Sequence, residues 1–411
     1  MSRSPSVQIL TRTSSQEAAT GDRFGPSANP HRRQLDPRTK YRHPVNRPVR
    51  PPVASASLPR MNIGVLTGGG DCPGLNAVIR AVVRVGEAVH GNTHVGISHG
   101  WRGLLNKNTI PLDLSTTTGI LNRGGTILWS SRTNPFKDEG GGELCAANAK
   151  DLGLDAIVAI GGEDTLGVAA RLSTEYDLPC VGVPKTIDND LDGTDYTFGF
   201  FTAVDIATEA LDRLHTTAES HDRVLVVEVM GRHAGWIATY SGIAGGADFI
   251  LIPEVQHSID DVCQAVTARH ARGKLFSIIV VSEGFQFAED DADGPVDEFG
   301  HRLLARVGIA DRVASLIEQR TGFEARSVVL GHVQRGGPPN AFDRILATRF
   351  GSLAANLVNE GKFGRMVALR GDEVIDIPIT EGVARLKTIP PERYQIARPF
   401  FGNEFIHPKL S

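Results

Sequence analysis

The sequence predicts an α/β fold: mainly parallel sheets covered by helices in two lobes, behind a disordered basic N-terminal extension. Three observations predict it. Short, fully apolar runs recur and break off at glycine- or proline-bearing turns. A segment of helical spacing follows most of these runs, and alternating strand and helix is satisfied by a parallel, helix-covered sheet. The first sixty residues show neither pattern.

That first segment holds ten Arg and one Lys against Glu17, Asp22 and Asp36, a net charge of +8 in a chain whose total is -4, so the remainder carries -12. It also holds nine prolines. Such a stretch buries too little apolar surface to offset its ordering entropy, and it reads as disordered. An organelle transit peptide, a basic interaction tail and a mis-set start codon all fit its composition. The prolines oppose a presequence helix, and Met61 opens directly onto an apolar run, so an upstream artefact or a dispensable tail is the favoured reading.

From Met61 on, Ile63–Leu66 reads as a buried strand ending in Thr67-Gly68-Gly69-Gly70-Asp71-Cys72-Pro73-Gly74, with a helix from Leu75 to about Ala88. Strand, glycine loop and helix together point backbone N–H groups at an anion. Ala156–Ile160 repeats the pattern, running into Gly161-Gly162-Glu163-Asp164-Thr165 and a further helix. A third run, Cys180–Val183, stops at Pro184, which cannot continue a strand ladder. Lys185, Thr186, Asp188 and Asp190 follow within six residues. A carboxylate there can strip a proton from an alcohol, and an ammonium can hold phosphate oxygens. Open α/β sheets bind ligands at this carboxyl edge.

A second lobe begins near Phe200. Helical spacing spans Ala203 to about His215, and Val224–Val229 is a strand ending in Met230-Gly231-Arg232-His233. Further strands are read at Phe249–Ile252, Phe276–Ser282 and Ser327–Leu330, and helices at Ile259–Ala271 and Asp343 to about Asn359. Residues 288–300 form an acidic, irregular stretch. Arg223, Arg232, Arg326, His332 and Arg335 all fall near strand termini, which suits a dianionic phosphate on a polar substrate. Glu283 can accept from that substrate's hydroxyls. Four scattered cysteines, with no Cys-x-x-Cys pair, fit reduced thiols in a cytoplasm and give no zinc signal. No run of about 18 apolar residues suggests a membrane span, and the acidic balance gives no pull toward nucleic acid.

Five segments carry a family resemblance: Gly-Gly-Asp with Pro-Gly-Leu-Asn at 69–76, Asn-Arg-Gly-Gly-Thr at 122–126, Thr-Ile-Asp-Asn-Asp at 186–190, Val-Val-Glu-Val-Met-Gly-Arg at 226–232 and Leu-Gly-His-Val-Gln-Arg-Gly-Gly at 330–337. In this order they resemble the bacterial 6-phosphofructokinases, from Met61 to about Gly351. The resemblance implies the phosphofructokinase fold, with two Rossmann-like lobes. It implies a phosphoryl-donor lobe at 61–199 plus about 336–385, and a fructose 6-phosphate lobe at 200–335 plus about 386–411. By the same resemblance Asp188 is the general base toward the sugar 1-hydroxyl, with Thr186 and Asp190 as companions. Glu163 stands at a magnesium-associated acidic position. Gly70, Arg132 and Arg232 stabilise the phosphoryl group in flight, and Met230, Gly231, Arg232, Glu283, His332 and Arg335 hold fructose 6-phosphate. Arg223 and Arg326 reach in from a neighbouring subunit, which implies a homo-oligomer. Arg80, Arg84, Arg123, Arg272 and Lys274 match parts of the family's effector cluster, with His215 where Arg is usual.

The donor is read from two departures. ATP-using members typically read Gly-Gly-Asp-Gly-Ser/Thr, whereas this chain has Asp164 at the fourth place. Many of them also have Gly where this chain has Lys185. Asp164 fills the space of an α-phosphate and sets a carboxylate against it, while pyrophosphate ends one phosphate earlier. Asp164, paired with Lys185, therefore resembles the pyrophosphate-dependent branch, a reversible reaction with Mg2+, and Gly70, Asp164, Thr165 and Lys185 are the donor-binding positions. An ATP-dependent enzyme, a non-catalytic sugar-phosphate sensor and a lipid or dinucleotide kinase sharing only the Gly-Gly-Asp loop are the rival readings.

Overall fold

A computed structural model describes residues 60–287 and 308–401. The expectations for the N-terminal extension and for the acidic stretch at 288–300 lie outside the described residues, as does the end of the chain after 401.

The elements follow in order. They are β1 (Asn62–Thr67), α1 (Leu75–Ala88), β2 (Thr93–Ile97), α2 (Gly100–Leu105), β3 (Thr109–Leu112), α3 (Gly141–Asp151), β4 (Ala156–Gly161), α4 (Glu163–Glu175) and β5 (Cys180–Pro184). Next come α5 (Phe200–Ser220), β6 (Val224–Val229), α6 (Trp236–Ala244), β7 (Phe249–Leu251), α7 (Ile259–Ala271) and β8 (Ser277–Ser282). The last are α8 (Ile309–Thr321), β9 (Ala325–Val329), α9 (Ala341–Asn359), β10 (Arg365–Arg370), β11 (Glu373–Pro378) and the short α10 (Ile379–Gly382) and α11 (Pro391–Gln395).

Two sheets result. One has seven strands in the order β11-β10-β5-β4-β1-β2-β3, and the other has four in the order β7-β8-β6-β9. Pairing among β10, β5, β4, β1 and β2 is parallel, and β3 and β11 close the two edges antiparallel. The four-stranded sheet is parallel throughout. β1, β4, β5, β6 and β8 are buried almost from end to end, as parallel strands covered on both faces must be.

Register positions the site. Thr67 pairs with Ile160 and Gly161 with Pro184, so β1, β4 and β5 stop level with one another. The Gly68 N–H donates to Ile160 O at 2.9 Å and the Lys185 N–H to Gly161 O at 2.9 Å. The three loops that follow these strands thus leave from one edge, side by side.

The first turn of α1 packs against a second loop. Asn76 is fully buried, donates to the carbonyls of Arg123 and Gly124 at 3.0 and 3.3 Å, and accepts from the Ile127 N–H at 2.9 Å. The 123–127 loop therefore covers the α1 N-terminus. A Cβ on Gly124 would sit 2.2 Å from the Gly337 carbonyl oxygen, so only glycine lets these two backbones meet.

Several boundaries moved. α5 starts at Phe200 rather than Ala203, behind Gly199 in the left-handed region at φ 94°. β9 runs Ala325–Val329, two residues earlier than read, and α9 begins at Ala341. Among the described residues no helix is long and apolar enough to cross a membrane. Cys72, Cys145, Cys180 and Cys263 are free and buried.

Candidate active site

The carboxyl edge of the seven-stranded sheet faces loops from the four-stranded sheet across a cleft of about 360 Å3. From the first sheet come Gly69, Gly70, Arg132, Glu163, Asp164, Thr165, Lys185, Thr186, Asp188 and Asp190. From the second come Met230, Arg232, His233, Glu283, His332 and Arg335. These residues span more than 260 positions of sequence, and only the fold makes them neighbours.

The turn after β5 is tightly built. Thr186 Oγ1 accepts from the Asp188 N–H at 3.0 Å, and the Thr186 carbonyl accepts from Thr197 Oγ1 at 2.7 Å. Asn189 is fully buried at φ 51°, a conformation Asn tolerates better than most side chains. Its Oδ1 takes the Thr197 N–H at 3.1 Å. These bonds fix the backbone on both sides of Asp188. Burial, and then the Asp190 charge, push the Asp188 carboxyl up to about 7, against the pull of Arg335 and Lys185. Its buried Oδ1 has no hydrogen-bond partner among the described residues. An unpaired buried acceptor is costly, and a substrate hydroxyl would satisfy it.

Lys185 is 3% exposed, and its Nζ donates to the Gly70 carbonyl at 2.5 Å. Desolvation lowers its pKa. Gly70 in turn lies against Arg335, whose Nη1 donates to Asp71 O at 3.3 Å. Arg335 belongs to a short 3-10 turn, Gly331–Arg335, so this contact bridges loops of the two sheets.

Glu163 and Asp164 occupy the first turn of α4, where negative charge is favoured by the helix dipole. The cap position is Gly162, so Asp164 is not the helix cap. Asp164 also lines an adjoining, more open cavity with Asn134, Phe136, Gly167, Arg171 and Val383. It stands where the two cavities meet. Thr165 is buried, and its carbonyl accepts from Trp101 Nε1 at 3.2 Å.

On the facing side, Gly231 adopts φ 131°, and a Cβ there would meet Ala234 O at 2.7 Å. No other residue fits, and the Met230–Arg232 turn depends on it. Burial raises the Glu283 carboxyl, with Arg232 and Arg335 opposing. Gln334, which the sequence reading passed over, is fully buried: it accepts from the Met230 N–H at 3.3 Å and donates to Gly331 O at 3.1 Å. It ties together the two loops carrying the facing cations. Its polar side chain among strand-end motifs was the available signal. His233, also passed over, lines the cleft.

Two proposed substrate residues lie elsewhere. Arg223 and Arg326 sit at the starts of β6 and β9, the far end of that sheet from this cleft. Both bind Glu324 Oε1, at 2.9 and 2.7 Å.

A cation implied for such a site must be judged by its donors. Among the described residues no group of three His, Cys, Asp or Glu side chains is set to hold a metal. Mg2+ commonly takes one or two carboxylates and completes its shell with water and substrate phosphates. Glu163, on the cleft wall with Asp190 nearby in the same lining, fits that pattern.

Comparison with known proteins bears on the family. The phosphofructokinase family model matches residues 62–358. A Streptomyces coelicolor protein named pyrophosphate--fructose 6-phosphate 1-phosphotransferase is 59% identical over 83% of this chain and 100% of its own length. An ATP-dependent 6-phosphofructokinase 3 of the same organism is 53% identical over 81% of this chain and 98% of its own. Among solved structures, Pichia pastoris phosphofructokinase in the T-state superposes with a TM-score of 0.71 at 33% identity, over 87% of this chain. This chain spans only 42% of that yeast protein's length. A pyrophosphate-dependent phosphofructokinase from Marinobacter aquaeolei shares the fold at a TM-score of 0.70 and 22% identity, over 83% of this chain and 90% of its own. The chain belongs to the phosphofructokinase family.

Proposed function

We propose that the chain transfers a phosphoryl group from inorganic pyrophosphate to the 1-hydroxyl of fructose 6-phosphate, giving fructose 1,6-bisphosphate and phosphate. The observation that carries this reading is the Asp188 carboxylate, buried and unpartnered at Oδ1, in a cleft lined by phosphate-suited loops on one side and Arg232, His332 and Arg335 on the other. Asp188 takes the hydroxyl proton as the oxygen attacks, and Thr186 and Asn189 hold its backbone in place. Phosphoryl transfer asks the protein mainly for positioning and charge stabilisation. Arg132, Arg232 and the Gly70 N–H supply these at the transferring group. Met230, Gly231, Arg232, Glu283, His332 and Arg335 orient the sugar phosphate. Glu163, with Asp190 on the same cleft lining, would hold Mg2+, which would supply neutralisation of phosphate charge.

The donor reading rests on Asp164. With Glu163 it lines both the cleft and the adjoining cavity, so a nucleoside tail extending from one to the other meets negative charge at this boundary. Pyrophosphate needs only the cleft. The name of the 59% identical relative supports this donor. The phosphoanhydride and the sugar ester plus phosphate are close in energy, so the reaction runs in both directions, serving glycolysis and gluconeogenesis in a cytoplasm. Arg223 and Arg326, turned to the far end of the sheet, complete a neighbour's site in a homo-oligomer.

The test is a donor assay on purified protein beginning at Met61, with magnesium, fructose 6-phosphate and either pyrophosphate or ATP, followed by the phosphate-dependent reversal. Turnover with ATP and none with pyrophosphate rejects the donor. Tight sugar-phosphate binding without turnover under either donor supports a sensor instead.

A further inference from the structure

The segment after β11 returns to the cleft and grips the turn that bears Asp188. Leu386 forms an antiparallel bridge with Leu191. One residue on, the Lys387 N–H donates to Asp190 O at 2.9 Å. The Lys387 ammonium reaches Asn189 Oδ1 at 3.1 Å and the carbonyls of Thr194 and Asp195 at 2.8 Å each. Its carbonyl accepts from Trp236 Nε1 at 3.0 Å, and Nζ lies 4.9 Å from the centre of the Trp236 ring. Two residues further, the Ile389 N–H donates to Glu254 Oε1 at 3.0 Å, and the same carboxylate takes the Gly235 N–H at 2.9 Å. One short strap thus joins elements behind both sides of the cleft. On one side it binds Asn189 and Asp190, the latter on the cleft lining; on the other it binds Trp236 and shares the Glu254 carboxylate with Gly235, residues that follow the Met230–Arg232 turn.

The chemistry of the grip is specific. All three ammonium protons have acceptors, and each acceptor is an amide or peptide carbonyl that cannot donate. A neutral amine has only two N–H groups and would release one of these three acceptors. Asn189 is held at φ 51°, and its side-chain oxygen is shared between Lys387 and the Thr197 N–H. Removing the ammonium frees part of the restraint on a residue adjacent to Asp188. The strap also lies beyond residue 358, where the family match ends.

We propose, resting on the reading of Asp188 as the base, that Lys387 is a positioning residue whose ammonium and backbone N–H fix the Asp188–Asp190 turn against the opposite wall of the cleft. Desolvation lowers the Lys387 pKa to about 8, with Asp195, Asp190 and Asp192 raising it and Arg393 lowering it.

The full chain is assayed as wild type, Lys387→Met, Lys387→Ala and Arg385→Ala. Arg385 lies on the same strap, mostly exposed, and pairs with Asp192. In Lys387→Met, kcat falls about 10- to 100-fold, the scale of a sub-ångström to ångström misplacement, while KM for fructose 6-phosphate changes little. Ethylammonium restores kcat to Lys387→Ala, and tetramethylammonium at equal ionic strength does not. Arg385→Ala keeps wild-type kcat. Unchanged kcat in Lys387→Met beside an active wild type overturns the positioning role alone. Equal losses in Arg385→Ala, or no amine rescue, overturn it too, since a loosened strap then accounts for the effect. A wild type inactive with both donors overturns the functional reading and this role with it.

Discussion

The Lys185 ammonium donates to the Gly70 carbonyl at 2.5 Å, and so joins the turn after β5 to the loop after β1. The bond turns the Gly70 peptide and leaves a buried cation beneath the loops that line the cleft. Lys185→Met removes both effects. Hydrogen bonds from charged groups contribute about 1.5–3 kcal/mol, so kcat/KM for pyrophosphate falls about 10- to 100-fold. KM for fructose 6-phosphate is the comparison, and an equal loss on both substrates would argue for collapse of the whole cleft.

The pH profile reports Asp188. Burial and Asp190 raise its pKa to about 7. A base is active when deprotonated, so kcat/KM rises with pH through that region and levels off above it. Asp188→Asn removes the limb and costs about 10²–10⁴ in rate, the usual scale of general base catalysis. A profile flat from pH 5.5 to 8.5 in the wild type excludes this assignment.

Asp164→Gly opens the boundary between the cleft and the cavity beside Phe136 and Arg171. Pyrophosphate turnover declines and ATP turnover appears. Measuring both donors on both proteins gives the shift in preference, and no gain in ATP use by the variant would mean that another group sets the donor.

Arg223 and Arg326 share Glu324 away from their own chain's cleft. If they serve a neighbour, Arg326→Ala and Asp188→Asn chains are each inactive alone. Mixed and reassembled, they recover activity, because some sites combine an intact Asp188 with a partner's intact arginine. Mixtures no more active than the two parents refute a shared site.

His94 is buried, neither ring nitrogen has a hydrogen-bond partner among the described residues, and desolvation lowers its pKa to about 4. Its folded pKa lies below the ordinary value of 6.5, so the unfolded chain binds the extra proton between those values. The stability tied to neutral His94 is complete above about pH 6.5 and is lost as pH falls toward 4, by up to about 1.4 kcal/mol per pH unit. Thermal melts from pH 8 to 5 show the decline, and His94→Leu flattens it.

The loops at the cleft were legible because their strands are. Buried parallel strands read as unbroken apolar runs, and β1, β4, β5 and β6 each end at a glycine, proline or methionine-glycine break. The start of α5 was misplaced because its cap is a left-handed Gly199 with no side-chain acceptor. β2 and β3 were missed. Thr93–Ile97 is short and mixed in burial, and Thr109–Leu112 is an antiparallel edge with mostly exposed residues. Lys387 was illegible for a different reason. Its ammonium meets the Thr194 carbonyl, remote in sequence, and nothing local marks a Lys that satisfies a distant carbonyl.

The seven-stranded sheet has a history written into its strand order. β5 ends at Pro184, but the strand that pairs with its outer edge begins at Arg365. Ribosomal synthesis therefore exposes an apolar, hydrogen-bond-hungry border until nearly the whole polypeptide has emerged. Such a border invites pairing with other nascent chains. Fragments terminated between those two positions are expected to precipitate, and the intact product's yield should depend on chaperones that shield that border.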